Sequence, residues 1–202
     1  MSQQVELSNC ALDARDTEPL HGGASFGLGH RLYRTGWILA WTLLCAWTPR
    51  TLHFWRRFVI VLFGGEIARS AHIYASARIW YPPNLVMAEH SCLGPRVTCY
   101  NIATVTLHKY AIASQGAYLC TGSHDIADAH FQLIARPIAI GENGWIATEA
   151  FVGPGVTVGE GAVLGARGVT FKDLPPWTIN VGNPAARIGA RIMRPAGPSE
   201  PC

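Results

Sequence analysis

His124 and Asp125 stand together at the start of a polar segment that also carries Asp128 and His130. A neutral imidazole is the side chain best suited to take a proton near pH 7, and a hydroxyl becomes a useful nucleophile only once its proton is taken. The neighbouring carboxylate can orient such a ring, contact a polar substrate, or simply shape a turn. His124 therefore reads as a candidate general base, against the plainer reading of a loop histidine bonded to backbone. The four residues together lack the fixed spacing of known ligand sets, so no metal is expected. Cys120, four residues before His124, invites a Cys–His nucleophile. Nothing in its sequence surroundings, such as a helix N-terminus or a lysine, would lower the thiol pKa, so it reads as a packing residue.

These residues must be held by something, and the chain around them repeats every six residues. The cleanest stretch is Ile140-Gly-Glu-Asn-Gly-Trp, Ile146-Ala-Thr-Glu-Ala-Phe, Val152-Gly-Pro-Gly-Val-Thr, Val158-Gly-Glu-Gly-Ala-Val and Leu164-Gly-Ala-Arg-Gly-Val. Position one is aliphatic, position two is Gly or Ala, and position five is Gly, Ala or Val. Earlier copies start at Ile67, Ile73, Met87 and Leu93, with looser ones at Ile79, Cys99, Leu107, Ala113 and Leu119. A period of six fits neither a helix nor a simple two-residue alternation. It fits a short strand and a turn, three of which close a triangular coil, with the aliphatic residue inside and the small one easing the corner. The copies make about five coils, a stack of about 24 Å. Two steps are eight residues long (79 to 87, 99 to 107), and the phase is lost between 124 and 139. His124 sits at that break, and loops leaving a rigid scaffold are where functional groups concentrate.

Only 14% of the 202 residues are charged, and 49% are hydrophobic. That excludes general disorder, and the absence of a three-residue glycine period excludes collagen. The net charge of +3 gives no reason to expect a nucleic acid partner. No uncharged run exceeds fifteen residues, as in 35–49, which is short of a membrane span. The first twenty residues carry five charges (Glu6, Asp13, Arg15, Asp16, Glu18) and no secretory signal, so a cytoplasmic location with free thiols is expected. Residues 1–28 read as a mobile tail, 30–65 as a helical extension, 67–174 as the β-helix and 175–202 as a closing segment and tail. Between Pro19 and Gly65 there is no acidic residue, while Arg31, Arg34, Arg50, Arg56 and Arg57 alternate with Trp37, Trp41, Trp47, Phe54, Trp55 and Phe58. Helices are expected over 32–47 and 52–63, split at Pro49. Packing on the main body and resting, through 31–58, on an anionic membrane surface are both open for this segment.

The repeats resemble those of the left-handed β-helix (hexapeptide-repeat) acyltransferases. Phe171-Lys-Asp-Leu-Pro-Pro-Trp-Thr and Val181-Gly-Asn-Pro-Ala resemble that family's closing segment. Cys99-Tyr-Asn101 and Ser114-Gln-Gly-Ala-Tyr-Leu-Cys-Thr-Gly-Ser-His-Asp125, with the Trp/Arg-rich lead-in, are most similar to the sugar O-acetyltransferases of the colanic acid biosynthesis type. The resemblance covers residues 31 to about 192. It implies an all-β, left-handed parallel β-helix enzyme that moves acetyl from acetyl-CoA to a carbohydrate hydroxyl, with polysaccharide biosynthesis as the setting, in a homotrimer.

The same resemblance implies roles. His124 matches the family's general base. Tyr100 and Asn101 match the acceptor region, although Asn101 also reads as a corner or ladder residue. Trp145, Ala147, Gly165 and Ala166 match the coenzyme groove, with Lys172 and Arg187 as cations for its phosphates. Ala186 follows Gly-Asn-Pro-Ala where the family usually has a basic residue, which moves that charge to Arg187. A zinc-binding γ-class carbonic anhydrase would share the fold, but no two histidines here stand five residues apart. The competing expectations are another acceptor (an antibiotic, an amino sugar or serine) and a non-catalytic assembly module.

Overall fold

The protein is described by a computed structural model covering residues 25–193. The tail expected at the N-terminus lies, up to residue 24, outside the described residues, and so do residues 194–202. The hexads close into a triangular parallel β-helix with five complete coils. Three columns of inward side chains run up the prism. The first face stacks Ile67, Met87, Leu107, Ile140 and Val158. The second stacks Ile73, Leu93, Ala113, Ile146 and Leu164. The third stacks Ile79, Cys99, Leu119, Val152 and Thr170. These are the first positions of the hexads, and all except Ile67 are buried.

The corners show why the other positions are small. A Cβ on Gly141 would lie 2.7 Å from the Glu160 nitrogen, and one on Gly159 would lie 2.6 Å from the Pro176 nitrogen. Position two is therefore small because the backbone of the next coil passes over it. Position four is the residue that turns left-handed. Asn143, Glu149 and Arg167 have φ of 57°, 56° and 56°, as the third residue of a type II turn requires. The backbone N–H of each donates to the coil below, at 3.0, 3.0 and 2.9 Å, which offsets the cost of that conformation in non-glycine residues.

Both ends of the prism are closed. At the C-terminal end, Leu174 pairs with Val158 and the strand Thr178–Val181 begins a sixth turn. An antiparallel strand, Ala186–Ala190, folds back on it. At the other end lie helices α1 (Leu28–Leu44) and α2 (His53–Leu62). α1 begins four residues before the expected position, because Phe26 and His30 stack on each other and pack at a tilt against Trp80 and so anchor its start.

The composition of this lead-in has a direct cause. Alternate residues of each coil turn their backbone groups to the coil above, as in Tyr74 N–H to the Leu93 carbonyl and Trp80 N–H to that of Cys99. Along the first coil the residues between them leave carbonyls facing the open edge. Trp37 Nε1 donates to the Ile79 carbonyl (2.7 Å) and Trp41 Nε1 to that of Ala75 (3.2 Å). Arg56 Nε donates to the Ile73 carbonyl (2.6 Å), and Arg57 donates to that of Arg69. The edge needs donors, which Trp and Arg supply and a carboxylate cannot. Arg56 is fully buried, its other donors bonded to the Thr48 hydroxyl and to the Pro49 and Arg50 carbonyls.

Candidate active site

All three interruptions of the repeat fall on the prism edge between the third and first faces. The first holds the 3-10 turn Pro82–Asn84, the second residues 101–104, and the third a hairpin, Gly122–His124 against Leu133–Ala135. They are stacked and bonded to one another. Asn101 accepts from the Tyr81 N–H (3.0 Å) and donates to the Tyr81 carbonyl (2.7 Å). Asn84 donates to the Asn101 carbonyl (3.2 Å), and the Thr121 hydroxyl donates to that of Tyr100 (2.9 Å). Above this polar ladder the hairpin base packs Leu133 and Ala135 on Ile102, with Phe26, Trp80, Tyr100 and Ala103 around them. Gly122 allows the contact, since a Cβ there would stand 2.6 Å from Ile102 Cδ1.

His124 ends the first hairpin strand, paired with Leu133. Its Nδ1 lies 2.7 Å from the Phe131 carbonyl, which can only accept, so Nδ1 carries the proton. The lone pair is thereby assigned to Nε2. The Phe131 ring stacks on the imidazole, centroids 4.5 Å apart and planes at 12°. Phe131 does both jobs from a left-handed backbone, φ 52°, uncommon for an aromatic residue and of the kind that collects at functional sites. Sequence reasoning missed Phe131, and an aromatic side chain within the excursion at the phase break was the signal available.

The Asp125 carboxylate does not hold the ring, because that place is taken by the Phe131 carbonyl. Asp125 Oδ1 accepts from the Ala127 N–H (3.0 Å) and its own N–H donates to Gln132 (2.8 Å). Asp128 Oδ1 accepts from the His130 N–H (2.8 Å). Both aspartates shape the turn that presents Phe131. Cys120 is half-buried; its thiol donates to the Gly122 carbonyl (3.3 Å), and burial pushes its pKa up. Among the described residues no group of three or more His, Cys, Asp or Glu side chains is arranged to hold a metal ion.

The expected acceptor residues separate. Asn101 is fully buried and both ends of its amide are engaged with Tyr81, so it offers no surface to a ligand. Tyr100 faces a cavity of about 970 Å³ between α1 and the third face, lined also by Trp41, Trp80, Arg34, Arg78 and Arg96. Arg34 lies over the Trp80 ring, 4.0 Å from its centroid.

The expected coenzyme residues fall mainly on the opposite side of the third face, at its edge with the second. Ala147 and Gly165 occupy the same corner position on consecutive coils, Ala147 N–H donating to the Leu164 carbonyl (2.9 Å) and Gly165 N–H to that of Asn180 (2.7 Å). Ala166 is exposed beside them. Trp145 stands part-exposed on the second face, its Nε1 donating to Ser114 Oγ (2.8 Å). Arg187, exposed, lies on the strand added to that same sheet, opposite Asn180. Lys172 is apart from them: it follows the third face, on the hairpin's edge, where its N–H meets Thr170 Oγ1 (3.2 Å).

No protein-family model matches the chain. The Escherichia coli K12 protein named as a colanic acid biosynthesis acetyltransferase, WcaF, is 42% identical over 156 residues, 77% of this chain and 86% of that one. A maltose O-acetyltransferase from Clostridium difficile superposes with a TM-score of 0.72 at 22% identity, covering 83% of this chain and 90% of the other. A hexapeptide-repeat acetyltransferase from Vibrio cholerae, solved with acetyl coenzyme A, gives a TM-score of 0.72 at 19% identity, covering 83% and 91%. These likenesses identify the prism as a left-handed β-helix.

Proposed function

Since the chain belongs to the left-handed β-helix, hexapeptide-repeat acetyltransferases, we propose that it moves an acetyl group from acetyl-CoA to a hydroxyl of a carbohydrate, in cytoplasmic polysaccharide assembly. The observation that carries this reading is the orientation of His124. With Nδ1 bonded to the Phe131 carbonyl, Nε2 is the nitrogen left to take a proton, and the ring is held in one orientation. Nε2 takes the acceptor hydroxyl proton while the oxygen attacks the thioester carbon. A backbone N–H stabilises the negative oxygen that develops. The C–S bond then breaks, the thiol leaves with the proton from the imidazolium, and the ester remains on the sugar. Cys120 takes no part, because its thiol is bonded and its pKa is raised.

Acetyl-CoA fits the corner of Ala147, Gly165 and Ala166, where small side chains leave backbone accessible to an extended pantetheine arm. Trp145 borders that corner, and Arg187, on the same sheet, supplies a cation for the phosphates, while Lys172, on the hairpin's edge, reaches them from a neighbouring subunit. One prism carries the His124 hairpin and the Trp145 corner on different edges, which supports a homotrimer whose site joins the hairpin of one subunit to the corner of its neighbour. Tyr100 offers an aromatic surface on which a sugar ring can stack. The WcaF relative's name is the ground for a polysaccharide acceptor.

The test uses the full chain with acetyl-CoA and a panel of saccharides. His124→Ala is expected to lower transfer by about 10²- to 10⁴-fold while coenzyme A still raises the thermal midpoint. Undiminished transfer would remove His124 from the mechanism.

A further inference from the structure

Each helix of the lead-in has two apolar faces. At 100° per residue, Tyr33, Trp37 and Trp41 form the face of α1 turned to the prism. On the opposite face stand Leu28, Leu32, Leu39 and Leu43, exposed by 69, 63, 57 and 67%. α2 repeats the arrangement: Arg56, Val59 and Ile60 are buried, while Phe54, Phe58, Val61 and Leu62 are exposed by 60, 55, 47 and 71%. Between the helices Trp47 is 73% exposed. A depression of about 300 Å³, lined by Leu44, Trp47, Leu52, Phe54 and Trp55, lies where the end of α1 meets the start of α2. Capping of the first coil accounts for the inner donors; it gives no reason for the outer leucines and phenylalanines. Contiguous apolar surface of this kind marks a docking face.

We propose that this face lies on an anionic lipid bilayer, in the plane of its surface. Charge selects this occupant. Arg31 and Arg57 flank the outer stripes of α1 and α2, Arg50 lies in the connection between them, and no acidic residue occurs from Pro19 to Gly65. Such a rim matches a negatively charged headgroup layer. A second copy docked face to face would set the same arginines against each other with no carboxylate between them. Length fixes the orientation: no described helix is long and apolar enough to cross a membrane. α1, with 17 residues, is about 25 Å long, short of a hydrocarbon core of about 30 Å. The apolar stripe therefore enters the headgroup boundary sideways, while its aromatic face stays on the prism. The proposal does not depend on the acetyl-transfer reading.

Co-sedimentation of the full chain with vesicles tests it. Equal parts phosphatidylglycerol and phosphatidylcholine should carry the protein down, and pure phosphatidylcholine much less. The Trp47→Ser/Phe54→Ser/Phe58→Ser variant should lose vesicle binding while keeping its thermal midpoint, because all three side chains are exposed. Arg31→Gln should bind the anionic vesicles about fivefold less tightly, a lost cation near such a surface being worth roughly that factor. Wild-type protein left in the supernatant with anionic vesicles would overturn the proposal. So would a triple serine variant that sediments like wild type, or one whose mass in light scattering falls to a smaller oligomer, since that would give the face to a second copy.

Discussion

Asn101→Ala separates a residue that builds the site from one that touches the acceptor. The side chain is fully buried and carries two hydrogen bonds, accepting from the Tyr81 N–H at 3.0 Å and donating to the Tyr81 carbonyl at 2.7 Å. Alanine removes both and leaves a small void. A buried polar group deprived of its partner costs about 1–3 kcal/mol, so two such groups and the void come to about 3 kcal/mol after local relaxation. For a chain of this length that is a fall of about 6–12 °C in thermal midpoint. The midpoint is read at one fixed protein concentration, because subunit association shifts it. Kinetics, followed by trapping the coenzyme A thiol, should show kcat reduced as the hairpin base above Tyr100 loosens. KM for the acceptor should barely move, because Asn101 has no surface. An unchanged midpoint with a strongly raised acceptor KM would refute this and place the amide against the sugar.

Three other outcomes follow from the same structure. Gly159→Ala should destabilise by about 1–3 kcal/mol in urea unfolding, since the new Cβ would stand 2.6 Å from the Pro176 nitrogen, whereas Gly189→Ala, with nothing within 4 Å, should be neutral. Arg56→Met should cost about 2–3 kcal/mol by the same assay, because it strips the Arg50 carbonyl of its donor and leaves the Ile73 and Pro49 carbonyls only His53 Nδ1 and the Leu52 N–H. Cys120→Ala should retain transfer within about threefold, its thiol being a bonded, pKa-raised packing group that does no chemistry.

The prism was legible because its cause is local and repeated. A period of six, with an aliphatic first position and small second and fifth positions, leaves one way to bury the aliphatic side chains. The columns from Ile67 to Val158, Ile73 to Leu164 and Ile79 to Thr170 follow from it. The breaks in the period were legible too, and with them the placement of His124 outside the regular coil. What the period could not convey was where the breaks meet. Only stacking brings the three insertions onto one edge, where Asn84 bonds to the Asn101 carbonyl and Thr121 to that of Tyr100 beneath the hairpin. Asn101, which reads equally as a ligand residue from its motif, is buried by that stacking.

The amino-acid sequence by itself determined the coil, its approximate number of turns, the histidine at the phase break and the lack of acid in the lead-in. Those are properties of residue type and spacing along the chain. The tertiary structure decided which nitrogen of His124 is free, because the carbonyl that fixes its tautomer comes from Phe131 across a turn. It also decided why the lead-in is rich in Trp and Arg. The first coil of a parallel β-helix ends in unpaired carbonyls, and only the folded edge shows Trp37, Trp41 and Arg56 donating to them, with the outer leucines and phenylalanines left facing away.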